Sequence, residues 1–413
     1  MTEPLQRPLR KDPVARTRQP TLPPGARSRA ALGLTAAAAV GRFRLQVCAA
    51  CGTVQYPPRE VCVDCLHHEL PWQEVSPRGT LIARTILQHS NDLYFRERLP
   101  WHVGTVVMDA GPSVVAHLHQ DCLDGGPVRL ALKLDRSGQA VMIALPPEDT
   151  PHMEDDKTLR ETSCTPKLRR VLVTDGKSAV GSALVPALLQ AGATHVFVGD
   201  PQVWRHDPAF QQLCRDERVS ALPLDVTDTD AVERAAASIG GKVDILVNTA
   251  DYEREGGLLG TRDVNRARDA LDVNCLGLMR LAQSFGPAMA GRASDGVNNA
   301  CAWVNVLSIY AQMNLPGRGV WSASKAAALS LAQCLRAELR SAGVRVVNVF
   351  PGPVDHEWEQ RTPPPLVAPK AIAAAIVRAL QAGIEDVYVG DVAEEFQARL
   401  ADNPKGLERE LGA

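Results

Sequence analysis

The sequence lacks a strong net charge and lacks a long apolar run. Its 45 Lys/Arg residues nearly balance 47 Asp/Glu residues, so the overall charge points to neither nucleic acid nor a membrane surface. The Ala-rich run 30–40 is too short to cross a bilayer, which needs about 20 apolar residues. Arg42 and Arg44 follow it, and we interpret it as a short helix rather than a signal peptide, with an organelle transit peptide as the alternative.

The charge is distributed unevenly along the chain. Residues 1–44 contain nine Lys/Arg and two acidic residues, which leaves 36 basic and 45 acidic residues elsewhere. A basic, Pro-rich segment is typical of a solvated tail, with a docking or targeting segment as the alternative. The length of 413 residues predicts two or three domains, since single cores seldom exceed about 250–300 residues.

Four of the ten cysteines form two CxxC pairs. Cys48 and Cys51 are followed, after ten intervening residues, by Cys62 and Cys65. Each pair can place two thiolates on one ion, and two pairs complete the closed tetrahedral geometry of structural zinc. Cysteines without an export signal indicate a reducing, cytoplasmic compartment, where such a pattern means metal more often than disulfide. The alternatives are a ribbon that keeps its thiols without metal and a ribbon that binds a different metal, such as iron.

Short β-like runs follow the cysteine pairs and suit a small barrel such as an OB fold: 79–87, 102–109, 113–119 and 140–145. The ribbon CAACGTVQYPPREVCVDCL, with SPRGTLIARTIL, LPWHVGTVVMD and GPSVVAHL, resembles acyl-CoA-associated proteins in which a rubredoxin-like zinc ribbon joins an OB fold. Proteins of that family accompany thiolases or thiolase-like aldolases and help to shape the acyl-CoA site. The resemblance therefore implies a thiolase-type partner subunit and an acyl-CoA ligand.

OB folds also bind nucleic acid, through basic grooves and stacked aromatic rings. The sequence contains aromatic residues in this region that could form such a surface: Trp72, Tyr94, Phe95 and Trp101. With the balanced overall charge, we nevertheless expect no nucleic-acid partner and no membrane partner.

From residue 168 the pattern changes to alternating strands and helices, which predicts a doubly wound parallel sheet of Rossmann type. The expected strands are 170–174, 195–200, 219–224, 243–248, 302–307, 344–350 and 387–390.

Residues 168–392 resemble the short-chain dehydrogenase/reductase family in several motifs. LDVTD, with Asp225, matches the adenine-pocket segment, and DVNCLG carries the family's structural asparagine at Asn274. VNVLSIYA places Ser308 at the catalytic serine, and the helix VWSASKAAALSLAQCLRAEL places Lys325 at the catalytic lysine. In the family this lysine holds the nicotinamide ribose and lowers the pKa of a tyrosine, which exchanges the proton.

The chain departs from the family where the chemistry is expected. Trp321 occupies the tyrosine position, and an indole N–H donates a hydrogen bond but does not exchange its proton at physiological pH. Losing general acid–base catalysis typically costs about 10²–10⁴-fold in rate. Tyr310 is a candidate substitute, although it does not lie four residues before Lys325.

The dinucleotide-binding segments are also altered. Asp175 and Ala179 replace the first two glycines of the phosphate turn, while Gly181 keeps the third. A carboxylate here opposes phosphate at a helix N-terminus, although Lys177 and a one-residue shift onto Gly176 are candidate compensations. Downstream, the Asn-Asn-Ala-Gly segment has become Asn248, Thr249, Ala250 and Asp251. Asp200 stands where an acidic residue grips the adenosine ribose, or it is only a turn residue at the strand end.

These observations predict a fusion of several segments: a basic head with a short helix (1–44), a zinc ribbon (45–72), an OB barrel (73–146), a linker (147–167), a Rossmann domain (168–392) and a C-terminal extension (393–413). We expect structural zinc and doubt that NAD binds. One hypothesis is a non-catalytic thiolase partner, whose Rossmann domain is a scaffold that pairs with a homologous dehydrogenase chain or with itself. The alternative is an NAD-dependent dehydrogenase of 3-hydroxyacyl-CoA.

Overall fold

The computed structural model describes residues 1–7, 20–259, 264–294, 299–356 and 365–412, so residues 8–19 of the basic head lie outside it. The described chain forms two compact units, one containing Pro20–Thr165 and a second that begins at Pro166. Among the described residues, no helix combines the length and apolar character needed to span a membrane.

The first unit begins with a helix and a small antiparallel sheet. Helix α1 (Leu32–Ala39) confirms the short helix expected from the Ala-rich run, and it buries Leu34. Strand β1 (Arg44–Val47) lies between β2 (Val54–Gln55) and β3 (Trp72–Glu74). The two CxxC pairs lie in the connections after β1 and after β2.

A closed five-stranded barrel follows, with strand order β4-β5-β6-β8-β7. Its strands are β4 (Arg78–Leu87), β5 (Trp101–Met108), β6 (Ser113–Leu118), β7 (Pro127–Leu134) and β8 (Ala140–Leu145). Helix α2 (Leu93–Arg96) lies between β4 and β5. The four expected β runs are all strands, and β7 is an additional strand that the sequence analysis missed.

Segment 147–167 differs from the expected linker because much of it is ordered against the barrel. It contains helix α3 (Lys157–Glu161), whose N-cap Asp156 accepts a hydrogen bond from the Leu159 amide at 3.1 Å. The Tyr94 hydroxyl donates to Glu161 at 3.0 Å. Polar residues that composition assigns to a linker thus serve as a cap and as hydrogen-bonding partners.

The second unit contains a seven-stranded parallel sheet with strand order β11-β10-β9-β12-β13-β14-β15. The strands are β9 (Arg170–Val173), β10 (His195–Asp200), β11 (Val219–Pro223), β12 (Ile245–Asn248), β13 (Ala302–Val306), β14 (Arg345–Pro351) and β15 (Asp386–Val389). The helices are α4 (Ala179–Gln190), α5 (Pro208–Leu213), α6 (Thr229–Ile239), α7 (Asn265–Leu271), α8 (Gly277–Arg292), α9 (Gly319–Leu339), α10 (Pro369–Ala382), α11 (Asp391–Asp402) and α12 (Pro404–Leu411). The predicted doubly wound fold is confirmed.

The order of the strands reverses between β9 and β12, which are neighbours in the sheet. In open α/β sheets, ligands bind outside the carboxyl ends of the strands at such a switch point. Asp175 follows β9, Asp251 follows β12 and Ser308 follows β13, so the fold places these residues at the carboxyl edge of the sheet.

The last two helices complete a separate apolar cluster in the second unit. Tyr310 and Trp321 pack there with Ala393 of α11 and Leu407 of α12, all four of them buried. The boundary expected at residue 393 therefore falls inside α11, and the expected extension is part of the packed unit.

Candidate functional sites in the two units

The four cysteines of the ribbon converge on one point. The Sγ atoms of Cys48, Cys51, Cys62 and Cys65 all lie within 4.8 Å of one another. The distance between the sulfurs of Cys48 and Cys65 is 3.5 Å, and that between Cys51 and Cys62 is 3.6 Å. A tetrahedral ion with metal–sulfur bonds of about 2.3 Å requires sulfurs about 3.8 Å apart, so this donor set fits Zn²⁺.

The turn after β9 places a carboxylate on backbone donors at the start of α4. Asp175 Oδ1 accepts the amide N–H of Lys177 at 2.9 Å and that of Ser178 at 3.0 Å. Ser178 is the N-cap of α4, and its hydroxyl accepts the Gly181 amide at 3.0 Å. Burial raises the pKa of Asp175 to about 6, and this effect outweighs the two amide donors, which lower it.

Glycine at position 181 is required by the close approach of this turn. A Cβ at Gly181 would lie 1.9 Å from the carbonyl oxygen of Asp175, which is closer than any real contact. Ala179, at the position of the family's second glycine, is the first residue of α4.

The Lys177 ammonium contacts the end of β10. Its Nζ lies 2.7 Å from Asp200 Oδ1 and donates to the carbonyl oxygens of Gln202 at 2.7 Å and Arg205 at 2.8 Å. Asp200 Oδ1 also accepts the Gln202 amide at 3.0 Å, so this position, a candidate for the adenosine ribose or for a turn at the strand end, is in a local turn and in an ion pair. This pairing was not inferred from the sequence.

A second carboxylate lies between the tryptophan and the lysine of the expected catalytic helix. Asp251 Oδ1 accepts the indole N–H of Trp321 at 3.1 Å and lies 3.1 Å from Lys325 Nζ. Lys325 also donates to the Val306 carbonyl at 3.4 Å, and its side chain is only 2 % exposed. The final glycine of the family segment has thus become the counter-ion of the retained lysine.

The other expected site residues form hydrogen bonds with neighbouring groups. Asn274, in a π-helical turn, donates to the Ser324 hydroxyl at 2.9 Å and accepts the Tyr252 amide at 3.1 Å. Ser308 accepts the Tyr310 amide at 3.3 Å and donates to the Pro351 carbonyl at 3.5 Å.

Two more such residues lie at strand ends. Asn248 accepts the Thr174 hydroxyl at 2.9 Å, which connects β12 to β9. Asp225 accepts the amide of Thr227 at 2.9 Å and its hydroxyl at 2.7 Å, which is a local turn.

A small cavity contacts the indole. It has a volume of about 10 Å³ and is lined by Trp321, Tyr252, Ala270 and Val320 among other residues. On another side, the Tyr310 ring lies 6.0 Å from the indole, centroid to centroid.

Two aromatic side chains, one on α2 and one at the start of β5, are buried next to each other. Tyr94 and Trp101 are each 4 % exposed, and the Trp101 indole donates to His117 Nδ1 at 2.9 Å. Burial lowers the pKa of His117 to about 4, which keeps the ring neutral as an acceptor. These two rings do not form the exposed platform on which bases stack.

Comparison with family models assigns both units. Residues 169–365 match the short chain dehydrogenase model. Residues 35–70 match the ChsH2 rubredoxin-like zinc ribbon domain, and residues 72–133 match the ChsH2 C-terminal OB-fold domain.

Curated relatives match the second unit. The short-chain dehydrogenase PC-15 of Penicillium crustosum is 32 % identical over 207 residues, which are 48 % of this chain and 70 % of that protein. The ketoacyl reductase HetN of Nostoc sp. is 28 % identical over 54 % of this chain and 78 % of its own length. This chain therefore belongs to the short-chain dehydrogenase family, with a ChsH2-type zinc ribbon and OB fold joined at its N-terminal side.

A solved structure supports the same assignment. The short chain dehydrogenase from Burkholderia cenocepacia, crystallised in complex with NADP, is 33 % identical and superposes with a TM-score of 0.53 over 59 % of this chain and 96 % of its own.

Proposed function

We propose that this chain is a largely non-catalytic partner subunit of a thiolase-type acyl-CoA enzyme. The ribbon and barrel contribute to the partner's acyl-CoA site, and the dehydrogenase domain is a scaffold that pairs with a homologous chain or a second copy. The ChsH2-type domains support the first part, because the family they resemble accompanies thiolases. The contact between Trp321 and Asp251 carries the second part.

Hydride transfer to a carbonyl must be matched by proton transfer to its oxygen. The indole of Trp321 is a donor only, and its N–H is already engaged by Asp251 at 3.1 Å. The Ser308 hydroxyl donates inward to a backbone carbonyl rather than into open space. Without a proton-exchanging group, we expect reduction and oxidation rates to fall to background.

In this proposal, zinc is structural. Four sulfurs fill a tetrahedral ion and leave no position for water, so the metal stabilises the ribbon and performs no hydrolysis. The folded ribbon then presents the N-terminal unit to its partner.

A second candidate is an active dehydrogenase of 3-hydroxyacyl or 3-ketoacyl thioesters. Ser308 and Lys325 are retained, and the relative from Burkholderia cenocepacia was crystallised with NADP. This candidate requires proton transfer through Tyr310 or through a water held by Ser308 and Lys325.

Two measurements separate the candidates. The tagged full chain is co-expressed with each thiolase-type protein of its source organism, and each pair is followed by size-exclusion chromatography and acyl-CoA turnover. A stable complex whose turnover depends on this chain supports the proposal, whereas a chain that elutes alone and leaves turnover unchanged refutes it. Separately, the purified chain is given a 3-ketoacyl thioester with NADH or NADPH, and nicotinamide oxidation above background would establish the second candidate.

A further inference from the structure

We propose that the chain's own side chains occupy the positions by which its Rossmann crevice would hold a dinucleotide. The inference deepens the non-catalytic part of the proposed function and is independent of the thiolase-type partner. Three contacts carry it, at the ends of β9, β10 and β12.

The first contact replaces the pyrophosphate. In Rossmann folds, backbone N–H groups at the first turn and helix N-terminus bind the phosphates. Here two of those N–H groups, on Lys177 and Ser178, donate to the carboxylate of Asp175. An entering phosphate would meet donors that are already used and a group of the same charge.

The second contact replaces the adenosine ribose. Asp200, which would accept the ribose hydroxyls, pairs with Lys177 at 2.7 Å. That ammonium also has two backbone carbonyl partners, and its side chain is only 10 % exposed. The ribose would have to displace a cation with three partners.

The third contact replaces the nicotinamide ribose. The family resemblance assigns this ribose to Lys325, whose Nζ here lies 3.1 Å from Asp251 Oδ1. The same oxygen accepts the Trp321 indole N–H. One carboxylate oxygen thereby engages both the lysine and the group at the tyrosine position.

Two carboxylates are therefore the groups that the crevice must lose before it accepts a cofactor. Glycine is the family residue at both positions, and glycine removes both the charge and the side-chain oxygen. Asparagine removes the charge and keeps an acceptor oxygen in place, which makes it the matched control.

The test measures NADP and NAD binding by calorimetry and by thermal shift on the full chain. We expect no binding by the wild type at millimolar nucleotide, at least a tenfold gain for Asp175→Gly/Asp251→Gly, and a much smaller gain for Asp175→Asn/Asp251→Asn. The single variant Asp175→Gly, titrated with ADP, tests the phosphate position without disturbing Lys325, should the double variant fail to fold.

Micromolar binding of NADP or NAD by the wild type overturns the inference. So does a folded double glycine variant, or a folded Asp175→Gly variant with ADP, that binds no better than the wild type. A wild type that binds nucleotide without turnover overturns this inference alone, because complex formation with a thiolase is measured separately.

Discussion

The ion pair of Asp251 and Lys325 gives a quantitative prediction for stability. The Lys325 side chain is 2 % exposed, and its partners are Asp251 and one carbonyl at 3.4 Å. Removing one partner of a fully buried pair costs about 3–5 kcal/mol, because the remaining charge loses its compensation. The Asp251 side chain is 35 % exposed, so water screens part of this effect and we expect about 2 kcal/mol for Asp251→Ala.

A double-mutant cycle isolates the pair. Lys325→Met removes the buried charge and keeps most of the side-chain volume, so Asp251→Ala in that background should cost much less than in the wild type. We expect a coupling of about 1–2 kcal/mol, within the range for residues in direct contact.

Differential scanning calorimetry of the full chain reads the effect. The transition of the dehydrogenase unit is the one that a zinc chelator does not shift, and a loss of about 2 kcal/mol lowers its midpoint by roughly 4–8 °C. If the loss of stability in the double variant equals the sum of the losses in the two single variants to within about 0.5 kcal/mol, the argument is refuted, because uncoupled sites behave in that way.

Other features of the two units give three further predictions. Burial raises the pKa of Asp175 from 3.8 to about 6, which at 1.36 kcal/mol per unit makes its ionisation on folding cost about 3 kcal/mol. The folded form keeps this proton to higher pH than the unfolded form, so the cost is absent below pH about 4 and complete above pH about 6. In urea titrations, the free energy of unfolding of Asp175→Asn should equal that of the wild type near pH 4 and exceed it by up to about 3 kcal/mol near pH 8. A difference in unfolding free energy that does not change with pH would contradict this. Cys48→Ser should reduce bound zinc, measured by mass spectrometry, from about one equivalent towards zero and should unfold the ribbon. Cys334 is exposed, and Cys334→Ser should change neither the bound zinc nor the fold of the ribbon. Gly181→Ala should destabilise the second unit by about 2 kcal/mol or more in calorimetry, because the added Cβ meets the Asp175 carbonyl. Gly241 has open space around it, so Gly241→Ala should be nearly neutral. Equal effects of the two substitutions would refute the steric argument.

The regular elements of the Rossmann unit could be predicted because each strand is a short apolar run between turn signals. The expected strand 195–200 is β10 without change, and the other expected strands differ from the observed ones by one or two residues at an end. Strand β7 was missed although its residues alternate between exposed and buried. Its Leu and Lys residues, preceded by two glycines, resemble a turn followed by a helix as much as a strand.

The contacts within the crevice could not be predicted in the same way. The sequence shows that Asp251 is a carboxylate near a cofactor position, but Lys325 lies 74 residues further along the chain. Only the fold brings β12 and α9 together, so the pair has no signature in local spacing. The sequence places Lys177 two residues from Asp175, whereas the carboxylate with which it pairs in the fold is that of Asp200, on the adjacent strand.

The oxygen shared by Trp321 and Lys325 also constrains how this chain can change. Replacing Asp251 by glycine alone leaves the buried Lys325 ammonium without its carboxylate partner. Restoring tyrosine at position 321 first places a phenol against a carboxylate, which opposes the ionised form of that phenol. Neither of these two single changes gives a working site, so position 251 and position 321 have to change together before the crevice regains the chemistry of a dehydrogenase.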